Sequence, residues 1–106
     1  MAPNPQRGDV TLVIDGSTRT LRLTLGALAA LEARLETGSL MGLAERFETG
    51  KVSTQDLIAL LAAGLSGTGE PFDEAALAAS EIEGGAVGAM RAGMDLLSAA
   101  FRPVDG

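Results

Sequence analysis

The spacing of apolar residues changes once along this chain, at Leu25. Before that point apolar residues recur at every second position, as on a half-buried strand, and after it they recur every three or four residues, as on one face of a helix. Asp15 and Gly16 divide the first part into two stretches, and Asp-Gly is a strong hairpin-turn signal. Because a lone hairpin is marginal in water, it must pack on the helices that follow. The sequence therefore predicts an α+β, mostly helical fold, with an N-terminal β-hairpin packed on about five short helices.

Capping residues and glycines divide the helical part into its elements. Thr24, Ser39 and Ser53 each precede an apolar stretch and are the predicted N-caps of the first three helices. Gly38 and Gly50 are the predicted ends of the first two. The third helix is nearly all apolar and is predicted to be the central buried one. The first should pack through one face, which carries Leu25, Leu28, Leu31 and Leu35.

Two further helices are predicted in the C-terminal third. Asp73 should cap a fourth helix that runs to about Glu83, inside a hydrophobic staple of Phe72 and Leu77. The glycines at 84–85 break the chain before a last helix, which a proline ends. The predicted organisation is a flexible lead-in at 1–8 and a single domain at 9–103, with the hairpin at 9–25, helices at 25–66 and C-terminal helices at 72–102.

The residue types present exclude most kinds of active site. The chain contains no histidine and no cysteine, so catalytic triads, imidazole bases, thiolate nucleophiles and Cys/His metal sites cannot be built from it. Acidic pairs such as Glu32 and Glu36 have the spacing of solvated helix faces. The glycine cluster at 84–88 lacks the spacing and the lysine of a phosphate-binding loop. We therefore expect no enzyme activity, no catalytic residue, no cofactor and no bound metal.

The charge balance argues against polyanionic partners. Eight basic and fourteen acidic side chains give a formal net charge of −6 at pH 7, which repels nucleic-acid phosphates and anionic membrane surfaces. No apolar stretch approaches the length of a membrane-spanning helix, and residues 1–8 do not resemble a signal peptide. The expectation is a cytoplasmic protein that binds neither nucleic acid nor membranes.

A methionine-containing stripe on the last helix is the predicted partner-binding surface. Apolar residues recur there at alternating spacings of three and four from Val87 onward, and methionine side chains adapt to varied apolar partners. An ordinary core face has the same pattern, so both interpretations remain open. The predicted binding residues are Met90, Met94, Leu97 and Phe101.

Two stretches of the chain resemble a known protein family. One spans 7–32 and contains Leu-Thr-Leu-Gly-Ala-Leu at 23–28, which leads into a Leu-Glu helix. The other is Leu-Ala-Glu-Arg-Phe-Glu-Thr-Gly at 43–50, followed by Ser53 and Asp56. Together they resemble the gene-transfer-agent and phage family of small tail proteins, which are regarded as tail assembly chaperones and sometimes labelled tail tube proteins. The resemblance covers roughly residues 7–66 well and the acidic remainder less specifically.

The resemblance implies an assembly factor that coats the long, aggregation-prone tape measure protein before the tail tube polymerises around it. Its partners would be the tape measure protein and the tail tube subunit. Tube subunits are normally larger, β-rich proteins, so one hairpin followed by helices favours the chaperone over the tube label. A structural tail or connector subunit and a small regulatory interaction domain remain as alternatives, and formation of a homo-oligomer is left open.

Overall fold

The computed structural model describes residues 9–35, 38–67 and 73–101. These residues form two strands followed by five helices, which confirms the predicted mostly helical α+β fold. In chain order the elements are β1 (Val10–Ile14), β2 (Ser17–Leu21), α1 (Leu25–Arg34), α2 (Leu40–Thr49), α3 (Thr54–Ser66), α4 (Glu74–Ala78) and α5 (Gly85–Phe101).

The hairpin turns at the predicted Asp-Gly pair. Asp15 and Gly16 both have positive φ, 51° and 79°, which is the backbone of a two-residue turn whose twist matches that of the flanking strands. β1 and β2 are antiparallel, and Val10 pairs with Leu21. Alternation along the strands then places Leu12, Ile14 and Leu21 on the buried face.

A short segment between α4 and α5 extends the hairpin on the free side of β1. Ile82 forms an antiparallel bridge with Ile14. The supporting hydrogen bonds run from Asp15 N to Glu81 O (2.7 Å), from Glu83 N to Val13 O (3.0 Å) and from Glu81 N to Asp15 Oδ1 (2.8 Å). The predicted extent of the fourth helix to Glu83 is therefore wrong. α4 ends at Ala78 because the residues after it pair with β1 instead.

The predicted N-caps are confirmed by their hydrogen bonds. The side-chain oxygen of each cap residue accepts a hydrogen bond from a backbone N–H in the first turn of its helix. Thr24 accepts from Ala27 (3.1 Å), Ser39 from Gly42 (3.0 Å), Ser53 from Asp56 (3.1 Å) and Asp73 from Ala75 (3.2 Å). Gly50 ends α2 with a left-handed φ of 71°, as predicted. Gly38 does not end α1, because the chain already turns to an extended conformation at Leu35, whose side chain is buried. Phe72 of the predicted staple and Pro103 lie outside the described residues.

α3 is the central helix, as predicted. It contacts α1, α4, α5 and β2, and Leu60, Leu61 and Leu65 on it are almost completely buried. Gly64 lets its neighbours approach the helix closely, since a β-carbon there would lie 2.9 Å from Leu96 and 3.0 Å from Leu21. α3 therefore joins the hairpin and α5 into one core. Among the described helices, none combines the length and the apolar character needed to cross a membrane.

Removal of the α3 cap tests how much this end of the central helix contributes. Ser53→Ala is expected to lower the free energy of unfolding by about 1 kcal/mol, because the Asp56 N–H loses its acceptor. Urea unfolding measures the loss. Ser66→Ala, at the exposed end of the same helix, should change stability by less than about 0.5 kcal/mol. Equal losses in the two variants would show that the Ser53 hydroxyl does not act as a cap.

An ion pair joins the two ends of the hairpin. Arg22, just after β2, donates to Asp9, just before β1, from Nε to Oδ1 at 2.7 Å and from Nη2 to Oδ2 at 2.9 Å. Hydrogen bonding to Asp9 raises the pKa of the Arg22 guanidinium, and the negative charge of the Asp9 carboxylate raises it further. The backbone N–H of Arg22 donates to Gly64 O at 2.8 Å. The end of the hairpin is thus fixed both to its own start and to α3.

Candidate protein-binding surface

α5 exposes an apolar stripe to solvent. Val87, Met94 and Phe101 are 77%, 47% and 46% exposed. They recur every seven residues, which is close to two helical turns, so they lie along one side of the helix. Met90, half-buried, lies at the edge of this side. We call these four residues the α5 stripe.

The structure separates the four predicted binding residues. Met94 and Phe101 lie on the stripe and Met90 lies at its edge, whereas Leu97 is only 4% exposed and belongs to the core. In a helix with 3.6 residues per turn, residues seven apart lie almost in line, whereas a residue three positions further along lies to one side of that line. The heptad pattern therefore does not distinguish the exposed side from the side that turns inward. We leave Leu97 out of the candidate surface.

An apolar groove with a volume of about 660 Å³ opens beside Met90. It runs between the first half of α3, α4 with residues 80–82, and the first turns of α5. Leu57, Leu61 and Leu77 form its buried floor, and the half-buried side chains of Ile58, Ile82 and Met90 form its rim. We call it the α3–α5 groove. Because Met90 belongs to both features, the groove and the α5 stripe form a connected apolar surface.

The charged groups near the groove are mostly acidic. Among the residues that line it, Glu81 is the one with a charged side chain. Lys51 and Arg91 are next to groove-lining residues in the sequence, but they line other depressions of the surface. The segment 73–83, which contributes one wall, carries four carboxylates and no lysine or arginine.

Sequence reasoning did not identify the groove. One of its walls exists only because residues 81–83 pair with β1, and pairing between distant segments leaves a weak local signal. That signal is the alternation of Glu81, Ile82 and Glu83 directly before two glycines, which is typical of a short strand and not of a helix end. The glycines at 84 and 85 both have positive φ, 83° and 61°, and form the tight turn into α5.

The chemistry offered by this surface is apolar contact with an acidic border. Within the described parts of the chain, no group of three or more His, Cys, Asp or Glu side chains is placed to hold a metal ion. Surfaces with several exposed large apolar residues beside a groove are typical of protein–protein contacts.

Comparison with known proteins identifies the family. A family model described as "Phage tail tube protein, GTA-gp10" matches residues 7–103. The chain belongs to this family. Curated proteins and solved structures give no significant match. As a GTA-gp10 family member, this chain is a tail-related protein of a phage or gene transfer agent, a class with structural and assembly roles. The match includes the hairpin, all five helices and the residues of the candidate surface.

Proposed function

We propose that this GTA-gp10 family member is a tail assembly chaperone that binds the tape measure protein and keeps it soluble in the cytoplasm during tail assembly. The observation that carries the proposal is the connected apolar surface of the α5 stripe and the α3–α5 groove. The family resemblance implies a long, helical tape measure protein, and an amphipathic helix binds by laying its apolar face in a groove. A tail protein with such a surface is suited to cover these helices.

The composition of the surface supports repeated binding along a variable partner. Met90 and Met94 have flexible, polarizable side chains that adapt to different apolar shapes. A chaperone that coats a long protein meets many different helix faces, so adaptability serves it better than a rigid match. The net charge of −6 on each copy would keep the coated complex soluble.

Release follows from competition in this scheme. The chaperone covers the tape measure protein by mass action, and any stronger contact made by the polymerising tube displaces it. In this scheme the tail tube subunit is the competitor, and we propose it as a second partner that acts at the moment of assembly. The chaperone would then leave the particle.

A structural tail subunit is the second candidate, and the family description as a tail tube protein favours it. A subunit of this kind would use the same apolar surface to join its neighbours and would stay in the finished tail. The described residues contain a single two-stranded sheet, which is little from which to build a β-lined tube. This is why we place the chaperone first.

Co-expression tests the proposed function. The tape measure protein encoded near this chain is produced alone and together with it, and the soluble fraction and the composition of the purified complex are measured. The chaperone predicts that the tape measure protein becomes soluble and carries several copies of this chain. A tape measure protein that stays insoluble and forms no complex would contradict it.

Met94→Asp tests the α5 stripe within the same assay. An aspartate at the centre of the stripe would have to be buried without a partner, so binding of the tape measure protein should weaken about tenfold. Ala29→Asp makes the same charge change at an exposed position on α1 and should leave binding unchanged. If Met94→Asp solubilises the tape measure protein as well as the unchanged chain does, the stripe is not the binding surface.

A further inference from the structure

We infer that the α3–α5 groove takes an amphipathic helix whose apolar face is bordered by lysine or arginine, and that Glu81 pairs with one of these basic side chains. The inference rests on the proposed function, in which the tape measure protein supplies the helix. It goes beyond that function by stating the secondary structure and the charge of the segment that binds.

The groove walls favour a helix over an extended segment. An added strand needs free backbone groups along an edge. Here the wall at 81–83 has already used such groups, since Glu81 bonds to Asp15 through both its N–H and its C=O, and the C=O of Ile82 accepts from Gly85 N at 2.8 Å. The other walls are the helices α3 and α5. A helix satisfies its own backbone and needs only apolar contact from its surroundings.

Small residues on the α5 side allow close approach. Gly85, Ala86 and Ala89 line the groove there, so the backbone of an incoming helix can lie near α5. The floor opposite consists of leucines, which can interdigitate with side chains spaced three and four apart on the partner. The shape and lining therefore fit one face of one helix.

The charge distribution sets the preference for basic borders. The carboxylates of the 73–83 wall belong to Asp73, Glu74, Glu81 and Glu83. Glu74 pairs with Arg34 at 2.7 Å, and Glu83 lines the same separate depression as Arg91, so neither is counted at the groove. The starts of α3 and α5 also lie at the groove, and each helix N-terminus is equivalent to about half a positive charge. Asp56, in the first turn of α3, offsets the positive end of that helix. The negative charge thus exceeds the positive, most directly at Glu81.

Two synthetic peptides of about 18 residues, or five helical turns, are suitable probes. They share one leucine and alanine face, which is bordered by lysines in one peptide and by glutamates in the other. Fluorescence anisotropy with the full chain measures both affinities. We expect the lysine peptide to bind more tightly than the glutamate peptide. Glu81→Lys should weaken binding of the lysine peptide about fivefold, which is the upper range for an exposed ion pair, and should strengthen binding of the glutamate peptide.

Glu45→Lys is the matched control, because it makes the same charge change at an exposed position on α2, away from the groove. Its effect on either peptide should be less than about twofold. Equal effects of Glu45→Lys and Glu81→Lys would overturn the inference, because net charge alone would then set the preference. Failure of both peptides to bind the unchanged chain would overturn it as well.

The outcome for the groove is separable from that for the proposed function. If the chain solubilises the tape measure protein but Glu81→Lys leaves peptide binding unchanged, the groove assignment is wrong and the chaperone stands. If the lysine peptide binds in a Glu81-dependent manner while the tape measure protein stays insoluble, the groove assignment stands and the chaperone is wrong.

Discussion

Replacing Gly67 with alanine is expected to lower the free energy of unfolding by about 3 kcal/mol, which is at the upper end for overpacking. A β-carbon at this position would be placed directly onto the carbonyl oxygen of Arg22. That oxygen belongs to the backbone and cannot rotate away as a side chain can. The N–H of Arg22 is also bonded to Gly64 O at 2.8 Å. The methyl group can be accommodated only if the end of the hairpin separates from α3.

Gly26→Ala is the matched control for Gly67→Ala. Gly26 lies in α1, and a β-carbon there would have Thr24 Oγ1 as its nearest neighbour, at 3.9 Å. Alanine should therefore fit and stabilise the helix by about 0.5–1 kcal/mol. Thermal unfolding should show a fall of roughly 15 °C for Gly67→Ala and a small rise for Gly26→Ala. A Gly67→Ala protein as stable as the unchanged chain would mean that the junction of hairpin and α3 is not packed as described.

Gly88→Ala is expected to cost about 2 kcal/mol and to disturb the groove as well. A β-carbon at Gly88 would be placed directly onto the carbonyl oxygen of Glu83. Moving that carbonyl shifts the segment that pairs with β1, in which Glu81 and Ile82 line the groove. Loss of stability and weaker binding of the tape measure protein should therefore appear together.

Gly93→Ala, on the same helix, gives the contrast. Its β-carbon would meet the ends of side chains, Phe47 Cζ at 2.9 Å, Leu57 Cδ1 at 3.0 Å and Leu60 Cδ2 at 3.1 Å. These ends can shift, and the helix gains about 1 kcal/mol from the loss of a glycine. Gly93→Ala should thus cost less than about 1 kcal/mol in urea unfolding. Greater destabilisation by Gly93→Ala than by Gly88→Ala would contradict the assigned backbone contact.

The features that the sequence predicted correctly depend on neighbouring residues. A turn at Asp15 and Gly16 needs only two residues that tolerate positive φ, and a cap at Ser53 needs only an oxygen three residues before a free N–H. The end of α2 at Gly50 follows from one residue in the left-handed conformation. Such signals are complete within a few residues, so the rest of the fold does not change them.

The features that the sequence did not determine depend on distant contacts. Ile82 looks like the end of a helix until its pairing with Ile14 is known. Leu25 was expected on the packed face of α1 but is 85% exposed, because α3 packs on other residues of that helix. Leu97 matches the heptad spacing of the stripe but is only 4% exposed and belongs to the core. For Leu25 and Leu97, periodicity gave the helical side and tertiary packing decided which part of it is covered.

The composition of finished tails tests the central claim most directly. Particles produced from the complete tail gene set are purified, and this chain and the tape measure protein are quantified in them by mass spectrometry, as they are in complexes isolated before tube assembly. A chaperone predicts several copies of this chain per tape measure protein in the early complex and none in the finished tail. A constant number of copies retained in the finished tail would contradict the chaperone and establish a structural subunit.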